Sequence, residues 1–129
     1  MTYLDDAVAP PAAAPWDVED IASRALAILR LDDTDDDAPR VQTAAIEATE
    51  LADQFLDYAE TPWTSSSEIP APVVGGAVNL TVELYRRKDA PFGVADAWSI
   101  DGALVHLSAD VLKGVRGMLR PYRSRRGVA

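Results

Sequence analysis

The chain has 129 residues, 48% of them hydrophobic, and no cysteine; it can close one hydrophobic core but holds no disulfide and no cysteine-based metal site or nucleophile. Its formal net charge of −9 argues against a protein that coats DNA with its whole surface, because phosphate binding needs a net positive footprint. No apolar run approaches the ~18 residues of a membrane span, and the acidic start "MTYLDDAVAP" lacks the basic region of a signal peptide, so a soluble cytosolic protein is expected.

Residues 1–16 are rich in proline and alanine without apolar periodicity and read as a flexible arm. Asp17 is the expected N-cap of a first helix over about 17–30, with Glu19 and Asp20 in its first turn and Val18, Ile21, Ala22, Ala25, Ile28 and Leu29 on its apolar face. The following "LDDTDDD" invites comparison with a calcium loop. With Asp33, Asp35 and Asp37 at the first three ligand positions, Ala38 falls where the turn glycine belongs and Ala44 where the bidentate glutamate belongs. The match fails at both, so the run reads as a solvated loop whose last aspartates cap the next helix, with Pro39 in its first turn. That second helix is expected to reach about Tyr58, with an apolar stripe of Val41, Ala44, Ala45, Ala48, Leu51, Ala52, Phe55 and Ala59 and with Glu47, Glu50, Asp53 and Asp57 off the stripe.

"ETPWTSSSEIPAP" is a loop. A third helix follows from about Pro72 to Lys88, with Val74, Ala77, Val78, Leu80, Thr81, Leu84 and Tyr85 facing the core. Gly75 and Gly76 weaken it by about 1 kcal/mol each relative to alanine, a cost that close approach of a neighbouring helix would offset. The Asn79-Leu-Thr81 sequon is discounted as a glycosylation site in a chain without a secretory signal. Asp101-Gly102 between "AWSI" and "ALVHL" predicts an extended segment or short hairpin across residues 92–107. Ser108 then caps a fourth helix that ends near Arg120, before Pro121. The predicted fold is mainly α: about four helices in a small bundle (17–122), the arm before it and a basic tail (123–129) after it. Its core is expected around Leu51, Phe55, Leu80, Leu84, Val115 and Leu119.

Charge is unevenly distributed. Residues 1–60 carry fifteen acids and three arginines; residues 61–129 carry six acids and nine bases. Five arginines fall between Arg116 and Arg126. On a helical wheel, Val111, Leu112, Val115, Met118, Leu119 and Tyr122 share one side, while Lys113, Arg116 and Arg120 share the other. The last helix therefore turns an apolar face inward and a basic ridge outward, and Arg123, Arg125 and Arg126 continue the charge. No catalytic constellation stands out. His106 is the sole histidine and has no evident partners, and "VVGGAVNL" lacks the spacing and lysine of a phosphate loop. Enzymatic activity, cofactors and metals are not expected.

Two stretches carry a resemblance. "EIPAPVVGGAVNLTVELYRRKDAPFGV" followed, after an extended stretch, by "DVLKGVRGMLRPYR" resembles the head-to-tail connector (head completion, or adaptor) proteins of long-tailed bacteriophages. In that family a proline-led helix ends in a Tyr-Arg-Arg-like element with a Pro-Phe-Gly-like loop after it, and a final helix ends in a Leu-x-Pro-Tyr-Arg-like element. Pro70 to Val94 and Asp110 to Arg123 match these elements here, and the likeness spans residues 17–126 without the arm. It implies a non-enzymatic helical bundle that forms a homo-oligomeric ring, usually of twelve copies, under the portal. Such a ring sits at the portal vertex between head and tail of the virion, having assembled in the host cytoplasm. It extends the DNA channel, brushes the packaged DNA transiently and docks the next neck or tail-completion protein, with no membrane partner. The candidate interface is then Lys113, Arg116, Arg120, Tyr122, Arg123, Arg125 and Arg126. The rival reading is a small nucleic-acid-binding helical protein that uses the same arginines; a third is an acidic cytosolic regulator with an oligomeric helical core.

Overall fold

In the computed structural model, which describes residues 11–88 and 112–124, Asp17 accepts the Asp20 backbone N–H on its side chain at 3.1 Å and opens α1, Val18–Leu29. This satisfies one of the orphan donors of the first turn, where Glu19 and Asp20 also meet the positive end of the helix dipole. Ile21, Ala22 and Ala25 are buried. Ile28, expected beside them, is half exposed (50%). It lies one residue from the helix end, where the chain turns away through Arg30 in left-handed backbone (φ 61°). Leu26 packs against the core instead.

The second helix, α2, runs over Ala38–Leu56 with Pro39 in its first turn. Asp37 occupies the N-cap position but makes no cap bond, against expectation. Its carboxylate instead accepts the Tyr85 hydroxyl at 2.6 Å, a tertiary partner that the local pattern could not announce. The helix stops at Leu56 rather than Tyr58, because Asp57 takes a left-handed conformation (φ 56°) and its N–H closes on the Asp53 carbonyl. Ala59, expected on the stripe, therefore lies beyond the helix and is exposed. The buried seam is built of small side chains: Val41, Ala44, Ala45, Ala48 and Ala52 are wholly covered. Leu51 and Phe55, expected as core anchors, are only partly buried at its edge; Leu56 takes that role.

The loop after α2 holds a short 3-10 turn, Ser66–Glu68. The Glu68 carboxylate accepts both the Thr64 N–H and its hydroxyl, which hold it below the usual carboxylate range. Ile69 is buried ahead of α3, Ala71–Lys88. Val73, Ala77, Val78, Leu80, Thr81, Val82, Leu84 and Tyr85 are all buried, so this helix is covered on nearly every side. That is the mark of a central helix rather than a surface one, and it explains why Val73 and Val82, off the expected stripe, join the core. Thr81 satisfies its hydroxyl on the Ala77 carbonyl at 2.8 Å.

Four contacts establish the topology. Asp37 at the start of α2 meets Tyr85 at the end of α3, and Trp16 just before α1 meets Asp53 near the end of α2. Leu119 meets Gly76 near the start of α3, while nearby Ser124 donates to Leu56 at the end of α2. The long helices thus run up, down and up, and the chain's last described segment returns to the pole where α2 ends. That segment is not one helix, as expected, but is broken into short pieces. Leu112 and Lys113 are helical, Gly114 and Val115 form a turn, α4 covers Arg116–Leu119, and a 3-10 turn covers Arg120–Tyr122. Gly114, the poorest non-proline helix former, sits at the break. The candidate hairpin at 92–107, His106, the Ser108 cap, Arg125 and Arg126 lie outside the described residues.

Candidate partner interface

The C-terminal segment is seated by what α3 lacks. Gly75 and Gly76 leave a bare strip of backbone, and Met118 and Leu119 occupy it. A β-carbon on Gly76 would lie 2.8 Å from Leu119 Cδ2 and 3.2 Å from its Cγ; one on Gly75 would lie 3.0 Å from Met118 Cε. The helix-weakening glycines therefore have the packing reason that the sequence suggested, a close neighbour. Val115 and Leu119 are buried as expected, and Leu112 and Tyr122 pack partly against the core. Asn79, the sequon asparagine, lies exposed beside Met118.

This anchoring leaves Lys113, Arg116 and Arg120 exposed on the far side, with no ion pair among the described residues. Arg123, expected to continue the charge of the ridge, is engaged at the end of α2. The Arg123 guanidinium lies over the Phe55 ring, 5.1 Å from its centroid, and its Nε donates to the Phe55 carbonyl at 3.0 Å. The Tyr122 carbonyl accepts the Tyr58 hydroxyl, and the Ser124 N–H donates to the Leu56 carbonyl at 2.7 Å. Arg123 and Ser124 thereby cap α2: its last carbonyls are orphans, and a cation at this negative helix end is favourable. Arg123 and Ser124, expected in the basic tail, thus pack on the end of α2. Burial also pushes the Tyr58 hydroxyl above its usual pKa.

Residues 11–16, expected in the flexible arm, are likewise held on the fold. Ala12 donates to the Tyr58 carbonyl at 2.8 Å, and both the Ala14 N–H (3.0 Å) and the Trp16 indole Nε1 (2.9 Å) donate to one carboxylate oxygen of Asp53. Ala14 is buried. Residues 11–16 are thus a strap that crosses the end of α2, and Asp53, read from the helical pattern as an off-stripe acid, is its latch. No spacing rule links residues 37 apart, so only the fold reveals it. Burial raises the Asp53 pKa above the usual carboxylate range, partly offset by its two donors. With the folded pKa raised, the group favours folding while protonated, and that contribution is lost as pH climbs through the folded value. Asp53→Asn keeps an acceptor without a charge to desolvate. Its melting temperature should equal or exceed wild type at neutral pH, and the gap should close in acid, below the unfolded carboxyl value. Asp53→Ala loses the acceptor for both donors and should cost about 2 kcal/mol, with red-shifted Trp16 emission.

The acidic surfaces differ in kind. In the loop between α1 and α2, Asp32 accepts the Thr34 hydroxyl (2.6 Å) and N–H (3.0 Å), which lower its pKa, and Asp35 accepts the Asp37 N–H. Asp33, Asp35 and Asp36 are exposed, but Arg30, Arg40 and Arg86 are exposed at the same pole, so the charge there is mixed. Along α2 itself no basic residue follows Arg40. Glu47, Glu50, Gln54 and Asp57 follow one another along α2 on the side away from its buried seam, beside Ile46, which is 47% exposed.

Among the described residues no group of three or more His, Asp or Glu is placed to hold a metal ion, and no helix is long and apolar enough to cross a membrane. A groove between the start of α1, the 3-10 turn at Ser66–Glu68 and the start of α3 is floored by Ile21, Ile69 and Val74, and the one ion pair at its wall, Asp20–Arg24 at 2.9 Å, is internally matched. What the arrangement offers is a rigid basic ridge and a separate acidic helix face. No family model, curated protein or solved structure matches this chain.

Proposed function

We propose that this protein is a structural subunit of a phage head-to-tail connector ring, docking under the portal and joining the capsid to the next neck or tail component without catalysing a reaction. The observation that carries the reading is the contact between the two stretches that resemble the connector family. The glycines of the first, on α3, receive Met118 and Leu119 of the second, so elements some forty residues apart form one unit. That unit turns Lys113, Arg116 and Arg120 outward on a seated scaffold rather than on a loose tail. A seated ridge suits docking to protein, since less order must be gained on binding.

The nucleic-acid reading loses support at the same place. It relied on an arginine cluster that acts together, and Arg123 is engaged with Phe55. Electron microscopy of the purified protein, alone and mixed with a portal, tests the proposal: rings on the portal support it. Tight DNA binding that falls steeply with salt, without rings, would replace it with the rival. Substituting Lys113, Arg116 and Arg120 together by serine should change stability little, as exposed changes usually do. Filled heads carrying the variant should fail to join tails; heads that join tails at the normal rate would sink the role given to the ridge.

A further inference from the structure

We infer that Met118 is a site of oxidation by peroxide to the sulfoxide, and that the Asn79 amide holds the added oxygen so that the basic ridge stays seated on α3. The inference goes beyond the connector reading and does not rest on it. The chain has no cysteine, so no thiol competes for a two-electron oxidant, and Met1 is the only other thioether. Met118 is half-buried, Asn79 is exposed, and the adjoining Gly117 faces open space. The two ends of the methionine side chain meet different surroundings. Its Cε reaches over the bare backbone of Gly75, while its Sδ accepts the Asn79 Nδ2–H at 3.4 Å on the exposed side.

In the oxidation a sulfur lone pair displaces hydroxide from hydrogen peroxide. The S–O bond forms as the O–O bond breaks, the sulfur gives up two electrons, and the proton left on the transferred oxygen joins the hydroxide as water. The product is polar where the thioether was apolar, which disrupts a packed seat when the new oxygen lacks a donor. Here the donor is already aimed at the sulfur. A thioether accepts hydrogen bonds weakly and a sulfoxide oxygen strongly, so the Asn79 contact strengthens on oxidation. That gain offsets the polarity brought to the edge of the seat, and the buried anchors Val115 and Leu119 keep their places. The same contact gives Asn79 a reason to be where it is: asparagine is a poor helix former, and it stands in the middle of α3.

The test treats the folded full chain with hydrogen peroxide and maps its peptides by mass spectrometry. The Met118 peptide should gain one oxygen at a rate within about tenfold of that in the urea-unfolded chain, because susceptibility follows exposure. Trypsin cleavage at Lys113 and Arg116 then reports opening of the seat. Peroxide should change that rate by less than about twofold in the wild type and raise it about fivefold in Asn79→Ala, the effect of one hydrogen bond. Methionine sulfoxide reductase with a dithiol should return the oxidised Asn79→Ala protein to its slow rate. Adding Met118→Leu to either chain should make cleavage indifferent to peroxide, which assigns the effect to this sulfur rather than to Met1. A Met118 that stays reduced while the chain is folded overturns the site. Oxidation that opens wild type and Asn79→Ala equally, or opens neither, overturns the role of the amide.

Discussion

Replacing Leu119 by alanine should lower stability by about 3 kcal/mol, within the range found when a fully covered leucine is truncated in a core that cannot collapse around the gap. Leu119 has no exposed surface, and its methyl groups fill the space over Gly76. For a chain of this size the loss corresponds to a fall of about 10–15 °C in melting temperature. The loss is also local in origin. Val115 and Leu119 are the two buried side chains of the described C-terminal segment, so with Leu119 gone the segment opens before the three long helices do. Limited trypsin digestion should then cut at Lys113 and Arg116 far faster than in the wild type, while the α1–α3 body survives. A variant that melts and resists trypsin like the wild type would refute the idea that Leu119 anchors the ridge.

The two adjacent glycines of α3 should respond in opposite directions. Either gains about 1 kcal/mol of helix propensity on becoming alanine. At Gly75 the only close atom is the end of a flexible, half-buried methionine side chain, which can swing aside, so Gly75→Ala should be neutral to stabilising by up to about 1 kcal/mol. At Gly76 the close atoms belong to a wholly buried leucine. Gly76→Leu cannot be absorbed there, and it should cost about 3 kcal/mol, the upper end of overpacking penalties, by pushing α4 off α3. The double variant Gly76→Leu with Leu119→Ala exchanges a large side chain across the contact. It should be more stable than the sum of its parts by at least about 1 kcal/mol, as expected for residues that share one space. Additive losses would mean that the two positions do not meet.

The legible parts were the local ones. The Asp17 cap, the small-residue seam of α2, the Pro39 start and the inward side of the last segment each follow from a pattern within one or two turns. The glycine pair was legible in a weaker sense: its propensity cost called for a neighbour, and α4 is that neighbour. The basic ridge was legible up to Arg120. Beyond it the sequence reading went astray, because Arg123 looks like one more surface cation. Its partners, the Phe55 ring and carbonyl, lie 68 residues earlier and are brought near only by the return of the chain. The partners of Asp53, Ala14 and Trp16, were hidden for the same reason.

What the sequence by itself determined is the helical architecture, the location of α1 to α3 within a few residues, and the separation of a basic last segment from an acidic helix. Periodicity, capping residues and proline act over one to five residues, so the chain carries them openly. The tertiary structure alone decided which charges are available to a partner. Two arms of chain converge on the end of α2: Arg123 and Ser124 donate to its Phe55 and Leu56 carbonyls, while residues 11–16 donate to the Tyr58 carbonyl just beyond it and to the Asp53 carboxylate, drawing Arg123, Tyr58 and Asp53 into the fold. Unpaired carbonyls at a helix end take whatever donors the packing brings within reach, and that choice is made by the geometry of the three-helix body rather than by any residue's neighbours in sequence.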